Sequence, residues 1–131
     1  MNLLIDTHIA IWVVLGDARL SDKGRDLITD AGNNILVSTA SIWEIAIKHA
    51  ARRGRANDLM LSGRDAIDEF EAAGFELLSI SPSHAARIDY LPHIHGDLFD
   101  RMMIAQAQSE AMRFVTHDSI LAKYGDFVDL V

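Results

Sequence analysis

Hydrophobic residues along the chain fall into two kinds of pattern, short continuous runs and longer stretches with helical spacing. The continuous runs predict buried strands, the last of them at a sheet edge, at residues 3–5, 34–37, 75–80, 113–115 and 127–130. The helical spacing predicts six helices between them, at residues 8–15, 21–31, 39–53, 62–73, 82–90 and 98–111. Gly16, Gly54 and Gly74 follow three of these helices and are typical helix stops.

Strands that alternate with helices favour a mainly parallel sheet that is covered by helices on both faces. We therefore predict an α/β fold, a three-layer α/β/α sandwich around a central sheet of four to five strands. In folds of this class, ligands bind beyond the carboxyl ends of the strands. Polar residues at those ends are the first candidates for chemistry.

The chain has 131 residues, half of them hydrophobic, and shows no repeat, linker or low-complexity segment. This length suits one domain spanning residues 1–131. Because there is no cysteine, a disulfide framework and a thiolate metal site are excluded. The apolar N-terminal run is interrupted by Asp6 and His8 and lacks a basic flank, so we expect neither a signal peptide nor a membrane span, and a cytoplasmic location.

The net charge of −7 argues against a protein that holds polyanions through a basic surface. It is compatible with a site where clustered acids bind a cation. Four acids are placed to form such a site, because each lies at the end of a predicted strand or early in the helix that follows. These acids are Asp6, Glu44, Asp100 and Asp118.

Each acid also has an ordinary structural explanation. Asp6 and Asp118 can cap a helix or close an Asx-turn. Glu44 fits a capping box with Ser41 and a helical ion pair with Lys48. Asp100 is harder to explain in this way, because it shares a helical face with the apolar positions 103, 104, 107 and 111. The nearby Asp97 is expected to act mainly as the cap of that helix.

The joint placement of these acids favours a cation site. Neighbouring carboxylates repel one another and raise each other's pKa, and a hard divalent cation relieves that repulsion. All-oxygen ligands favour Mg²⁺ or Mn²⁺. Such ions polarise phosphates and activate water, which makes phosphoryl chemistry the expected reaction class.

Four segments are specific enough to suggest a family: LLIDTH at 3–8, SIWEIAIK at 41–48, HGDLFDRMMIAQA at 95–107 and FVTHDS at 114–119. Together they resemble the PIN-domain ribonucleases, in particular the VapC-type toxins of type II toxin–antitoxin pairs. The resemblance spans essentially the whole chain and implies a PIN-like sandwich. Gly96 and Leu98 depart from the family pattern, in which Arg and Pro are common.

The resemblance implies that Asp6, Glu44 and Asp100 are catalytic residues and metal ligands, with Asp118 as the fourth acid. It also implies accessory roles for four flanking residues, Asp97, Thr7, Thr116 and Ser119. The implied activity is Mg²⁺- or Mn²⁺-dependent endoribonuclease cleavage of RNA phosphodiester bonds by a metal-activated water. The implied partners are a VapB-type antitoxin, a second copy of the chain in a homodimer, and a toxin–antitoxin hetero-oligomer.

A few other residues carry weaker expectations. The basic residues Lys48, Arg52 and Arg53 fit either a solvated helix end or contacts to the RNA backbone. Arg101 is expected to pair with Asp97 or to reach a phosphate. Two loop histidines, His93 and His95, are interpreted as satisfied by local hydrogen bonds rather than as zinc ligands. Trp12 and Trp43 are expected in the core or a dimer interface.

Two alternative functions remain open at this stage. One is a catalytically silent PIN-like module that acts only by binding a partner, although the complete set of acids argues against it. The other is a Mg²⁺-dependent phosphoryl-transfer or receiver-type domain with a phosphorylated Asp. The third predicted strand ends at Ser79-Ile80-Ser81 without an acid, which weakens that alternative.

Overall fold

Five strands and six helices alternate along residues 1–131 in a computed structural model of the protein. The strands are β1 (Asn2–Ile5), β2 (Asn34–Ser38), β3 (Glu76–Leu78), β4 (Arg113–Thr116) and β5 (Val128–Leu130). The helices are α1 (Thr7–Leu15), α2 (Asp22–Thr29), α3 (Thr39–Ala50), α4 (Gly63–Ala72), α5 (Pro82–Ala86) and α6 (Leu98–Ser109). Two short 3₁₀ turns follow α5 and β4, at Arg87–Tyr90 and Leu121–Tyr124.

The strands form one sheet in the order β3-β2-β1-β4-β5, and every neighbouring pair is parallel. The predicted fold is confirmed, including the fifth strand at the edge. Leu4 at the centre of β1 pairs with Leu36 of β2 on one side and Phe114 of β4 on the other. The chain order therefore reverses direction at β1, and in such sheets this switch point is where ligands bind.

Two hydrophobic cores cover the two faces of the sheet. Leu3 and Ile5 of β1 face a core built with α1, α3 and α4, where Phe70 is fully buried. Leu4 faces the opposite core, which α6 fills with Met103 and Ile104. Because the side chains of β1 are buried on both faces, the strand reads as a continuous apolar run. No helix is both long and apolar enough to cross a bilayer.

Several predicted element ends are wrong. Helix α3 ends at Ala50 rather than Arg53, and β3 is shorter than the predicted run. The predicted helix at 82–90 divides into α5 and a 3₁₀ turn. Helix α6 ends at Ser109 because Ala111 adopts a left-handed backbone with φ of 53°, so Ala111 is exposed rather than part of the inward face.

The capping box predicted for Ser41 and Glu44 is also wrong. Helix α3 begins earlier, at Thr39, and Ser38 caps it by accepting a hydrogen bond from the Ala40 amide at 3.0 Å. Ser41 and Glu44 therefore lie inside the helix. Their side chains are free to make contacts with other parts of the molecule.

Candidate metal-binding site

Asp6 lies directly after the central strand, at the switch point of the sheet. Its carboxylate caps α1, because the Ile9 amide donates to Oδ1 at 2.8 Å. The Thr116 hydroxyl, from the end of β4, donates to the other carboxylate oxygen. Burial raises the pKa of Asp6, and the charge of Glu44 adds to that increase, although the hydrogen bonds from Thr116 and Ile9 oppose it. Asp6 therefore caps α1, as predicted, and its carboxylate also belongs to the group of acids at the switch point.

Glu44 reaches the same region from the second turn of α3, where only 6% of the residue is exposed. The predicted ion pair is confirmed, since Lys48 Nζ lies 2.9 Å from Glu44 Oε2. A buried contact of 2.8 Å between the hydroxyls of Thr7 and Ser41 ties the start of α1 to α3. This contact holds α3 where Glu44 can act electrostatically on Asp6.

Asp100 is the third residue of α6. Asp97 caps this helix as predicted, and its Oδ1 accepts from the amides of Phe99 and Asp100 at 2.9 and 3.0 Å. The cap leaves the half-buried Asp100 carboxylate without a helix donor. Burial raises the pKa of Asp100 to about 7, and the charges of Asp97, Asp6 and Glu44 add to the increase. Asp100 therefore lies within electrostatic reach of the other acids.

Asp118 follows β4 in an Asx-turn, where its Oδ1 accepts from the Ile120 amide at 3.0 Å. Thr116 connects this turn to the switch point, because the Thr116 hydroxyl accepts from the Asp118 amide at 3.1 Å while it donates to Asp6. On its other side, Asp118 Oδ2 lies 3.0 Å from His95 Nε2.

His95 completes the group, and it lies between two acids. Its Nε2 atom is also 3.9 Å from Asp100 Oδ2. Potential ligand atoms of His95, Asp100 and Asp118 all lie within 4.8 Å of one another. The sequence interpretation of His95 as a hydrogen-bonded loop residue holds, but its place in the acidic site was missed. Its position two residues before Asp97 is the only sequence signal that pointed there.

The structure thus brings all four predicted acids to one edge of the sheet, with Thr116 in contact with Asp6. Two predicted accessory residues lie differently. Thr7 faces Ser41 behind the acids, and Ser119 is exposed and its side chain forms no hydrogen bond.

Arg101 does not form the predicted ion pair with Asp97. Its guanidinium is buried under the loop before α6, where it donates to the carbonyls of Pro92 at 2.9 Å and Leu91 at 3.4 Å. It also donates to the Tyr124 hydroxyl at 3.3 Å. These contacts make Arg101 a support for the loop, and they argue against a phosphate contact.

The basic residues of α3 extend away from the acids. Lys48 reaches Glu44 but leaves 46% of its side chain exposed. Arg52 and Arg53 continue this exposed basic surface beyond the helix end. A cleft of about 330 Å³ opens beside the acids, and its walls are formed by Asp6, His8, Trp12, Arg19, His117 and Asp118.

The donor set fits a hard divalent cation. All four acids offer carboxylate oxygens, which Mg²⁺ and Mn²⁺ prefer. Burial, with the charges of neighbouring acids, raises the pKa values of Asp6 and Asp100, so the surrounding protein disfavours their ionised forms. Lys48 offsets part of this charge through its contact with Glu44 Oε2. A cation would relieve the remaining repulsion.

The sequence of this chain matches the PIN domain family over residues 3–126, and comparison with curated proteins finds no match. Its fold is similar to a chain of the VapBC2 complex from Rickettsia felis bound to a promoter DNA fragment. That match has a TM-score of 0.68 and 14% identity, and covers 100% of this chain and 98% of that one.

Two further structures share the fold. A chain of a toxin–antitoxin complex from Klebsiella pneumoniae matches with a TM-score of 0.67 at 18% identity, over 97% of this chain and 95% of that one. A domain of a protein of unknown function from Methanocaldococcus jannaschii matches with a TM-score of 0.57 at 15% identity, over 99% and 90%. These identities are low, so the structural matches support the fold alone. The family match covers nearly the whole sequence, and the chain therefore belongs to the PIN domain family.

Proposed function

We propose that this protein is a metal-dependent endoribonuclease that acts as the toxin of a toxin–antitoxin pair. One observation carries the catalytic part of the proposal. Asp6, Glu44, Asp100 and Asp118 come from four separate segments and meet at the switch point of a parallel sheet. The family supports this activity, since PIN domains are generally nucleases.

In this proposal, Asp6, Glu44 and Asp100 hold the cation, because their charges act on one another in the buried part of the site. A bound Mg²⁺ or Mn²⁺ would polarise the scissile phosphate and lower the pKa of a water molecule. Asp118 is the most exposed of the four, with 37% of its side chain accessible, and it lies on the solvent side of the site. Its role is to complete the ligand set through water or a second ion.

The remaining residues prepare the site. The Thr116 hydroxyl fixes the orientation of the Asp6 carboxylate, and Lys48 fixes Glu44. The half-exposed side chain of Lys48 and the exposed residues Arg52 and Arg53 are placed to meet RNA phosphates along α3 and beyond its end. These contacts to the phosphates would increase the affinity for RNA without selecting a particular nucleotide sequence.

The proposal is tested by RNA cleavage with Mg²⁺, with EDTA, and with Asp100→Asn or Asp6→Asn. Both substitutions keep the shape of the side chain while removing its charge, and cleavage should fall at least 100-fold. Asp68→Asn is the control, because this exposed acid on α4 forms no ion pair or side-chain hydrogen bond. Undiminished cleavage by a folded Asp100→Asn protein would reject the assignment and favour a silent binding module.

The proposed partners are a VapB-type antitoxin and a second copy of the chain. Two structural neighbours come from toxin–antitoxin complexes, which supports the first. For the second, Trp43 packs on Phe99 and is still 53% exposed, beside the exposed Ile47 and Leu98. Trp12, in contrast, is buried in the core as expected.

The partner proposal has two tests. A short neighbouring reading frame that encodes a DNA-binding protein, and whose product suppresses both growth arrest and RNA cleavage, would support the antitoxin. Sedimentation of the wild type and of Trp43→Ala would test the homodimer. A wild-type protein that stays monomeric at micromolar concentration would reject it.

A further inference from the structure

We propose that His95 is a positioning residue for Asp118, which it holds by donating a hydrogen bond from Nε2, and that it remains outside the coordination sphere of the metal. The inference rests on the metal site of the proposed function but not on its RNA substrate. The short distances from His95 to the carboxylates of Asp100 and Asp118 would, taken alone, identify His95 as a metal ligand, and the inference gives it a different role.

The imidazole of His95 is fixed at both ring nitrogens. The Asp97 amide lies 3.0 Å from Nδ1, and Asp118 Oδ2 lies 3.0 Å from Nε2. The backbone of His95 is held as well, because its amide donates to the Tyr124 hydroxyl at 3.1 Å. The side chain is 20% exposed, so few orientations compete with this one.

These contacts determine which nitrogen carries the proton. A backbone amide can only donate, so Nδ1 must offer its lone pair to Asp97 and carries no proton. The ring proton therefore lies on Nε2, which points at a carboxylate oxygen of Asp118. The tautomer follows from the hydrogen-bond network on both sides of the ring.

This tautomer conflicts with metal ligation by His95. A histidine ligand binds the ion through one lone pair and donates its other N–H to an acceptor. To ligate through Nε2, His95 would have to move its proton to Nδ1, where it would meet the Asp97 amide. That amide belongs to the turn in which Asp97 caps α6, so the change would disturb the start of the helix that carries Asp100.

As a donor, His95 has a clear structural effect on the site. One oxygen of Asp118 accepts from His95 and the other from the Ile120 amide, so the carboxylate cannot rotate freely. Each oxygen keeps a second lone pair for a cation or water. His95 also links Asp118 to the Asp97 cap, and so connects the end of β4 to the start of α6.

The first test is an NMR measurement of the His95 tautomer by long-range correlations between ring protons and ring nitrogens. Six histidines are present, so the His95 signals are assigned by their loss in His95→Gln. We expect a protonated Nε2 and an unprotonated Nδ1, both without metal and with saturating Mg²⁺. A proton on Nδ1, or loss of the Nε2 proton when Mg²⁺ binds, would overturn the proposal.

The second test compares two substitutions in a Mg²⁺ titration followed by calorimetry. His95→Gln keeps a donor near the position of Nε2, whereas His95→Phe keeps the ring volume and removes the donor. Loss of an outer-sphere partner typically lowers metal affinity about 10- to 100-fold, so we expect about 10-fold for Phe and less than about 3-fold for Gln. The control is His93→Gln, which changes an exposed neighbouring histidine and should bind Mg²⁺ with wild-type affinity.

The outcomes separate this inference from the proposed function. Equal defects in His95→Gln and His95→Phe, or a Phe variant that binds Mg²⁺ normally, would reject the positioning role. A protein that shows the expected tautomer and affinities but does not cleave RNA would retain the role of His95 and reject the ribonuclease.

Discussion

The substitution Asp100→Asn should stabilise the metal-free protein at alkaline pH, although it removes a residue from the centre of the site. The reason is the unfavourable placement of the Asp100 carboxylate, which is half-buried and surrounded by the charges of Asp97, Asp6 and Glu44. The asparagine has nearly the same shape. It loses no hydrogen bond, because the Asp97 side chain, not Asp100, caps the helix.

The magnitude follows from the pKa. A carboxyl whose pKa rises from 3.8 in the unfolded chain to about 7 in the folded protein costs about 4 kcal/mol when it is fully ionised. The side chain is 22% exposed, and solvent screening reduces this value, so we expect about 2 kcal/mol. Because the folded state holds the proton more tightly, stability falls as pH rises between about 4 and about 7, and the full cost applies above that range.

The assay is urea unfolding of the wild type and Asp100→Asn in EDTA, at several values from about pH 4 to about pH 8. The difference in unfolding free energy should change by about 2 kcal/mol in favour of the variant across this range. Any effect of the asparagine side-chain amide itself is the same at every pH. The part of the difference in unfolding free energy that changes with pH therefore measures the effect of the Asp100 charge. Asp68→Asn, which alters an exposed acid of α4, should show no such change.

A pH-independent difference between the two proteins would refute the electrostatic reasoning. A variant that is less stable at every pH would show that Asp100 supports the start of α6. In that case, the site would need another explanation for its clustered acids.

Three further changes test other parts of the site. Thr116→Val should cost about 2 kcal/mol in urea unfolding and weaken Mg²⁺ binding, because it removes the hydroxyl that donates to the buried Asp6 carboxylate. Arg101→Met should lower the free energy of unfolding by at least about 2 kcal/mol, because it leaves loop carbonyls without a donor. The control Arg52→Met changes a surface residue and should lower it by less than about 0.5 kcal/mol. Equal losses in the two variants would contradict the supporting role of Arg101. Mg²⁺ should raise the melting temperature more at about pH 8 than at about pH 6. The reason is that Asp100, with its pKa of about 7, must lose its proton before its carboxylate can bind the ion. A rise in melting temperature that is independent of pH would exclude Asp100 as a ligand.

The fold was predictable because burial on both faces leaves a direct mark on the sequence. Strands such as β1 and β2 appear as continuous apolar runs, and the helices between them show helical spacing. Element ends were less predictable, since they depend on local backbone geometry. Helix α6, for example, ends through the positive φ of Ala111, and an alanine gives no signal for such a turn.

The site could be predicted only for those residues that lie at the end of a strand or early in the helix that follows. Topology places Asp6 and Asp118 at one sheet edge whatever the details of the loops. The role of His95 depends on contacts to Asp97, Asp118 and Tyr124, which lie in three different segments and meet only in the folded chain. The expected pairing of Arg101 with Asp97 failed for a related reason. The Asp97 carboxylate already accepts two helix amides, and the guanidinium finds backbone carbonyls instead.

The acids of this site combine structural and chemical roles rather than choosing between them. Asp6 caps α1, Asp97 caps α6, and Asp118 closes an Asx-turn, so the backbone amides that hold each carboxylate also set the direction in which it points. Amide donors stabilise the ionised form and can offset part of the repulsion between neighbouring charges. Asp100 differs from these three acids because no amide donates to its carboxylate, and its pKa is raised to about 7. The Asp100 charge is therefore offset by no amide of its own, and a cation at this position would relieve it, which couples metal binding at Asp100 to the stability of the fold.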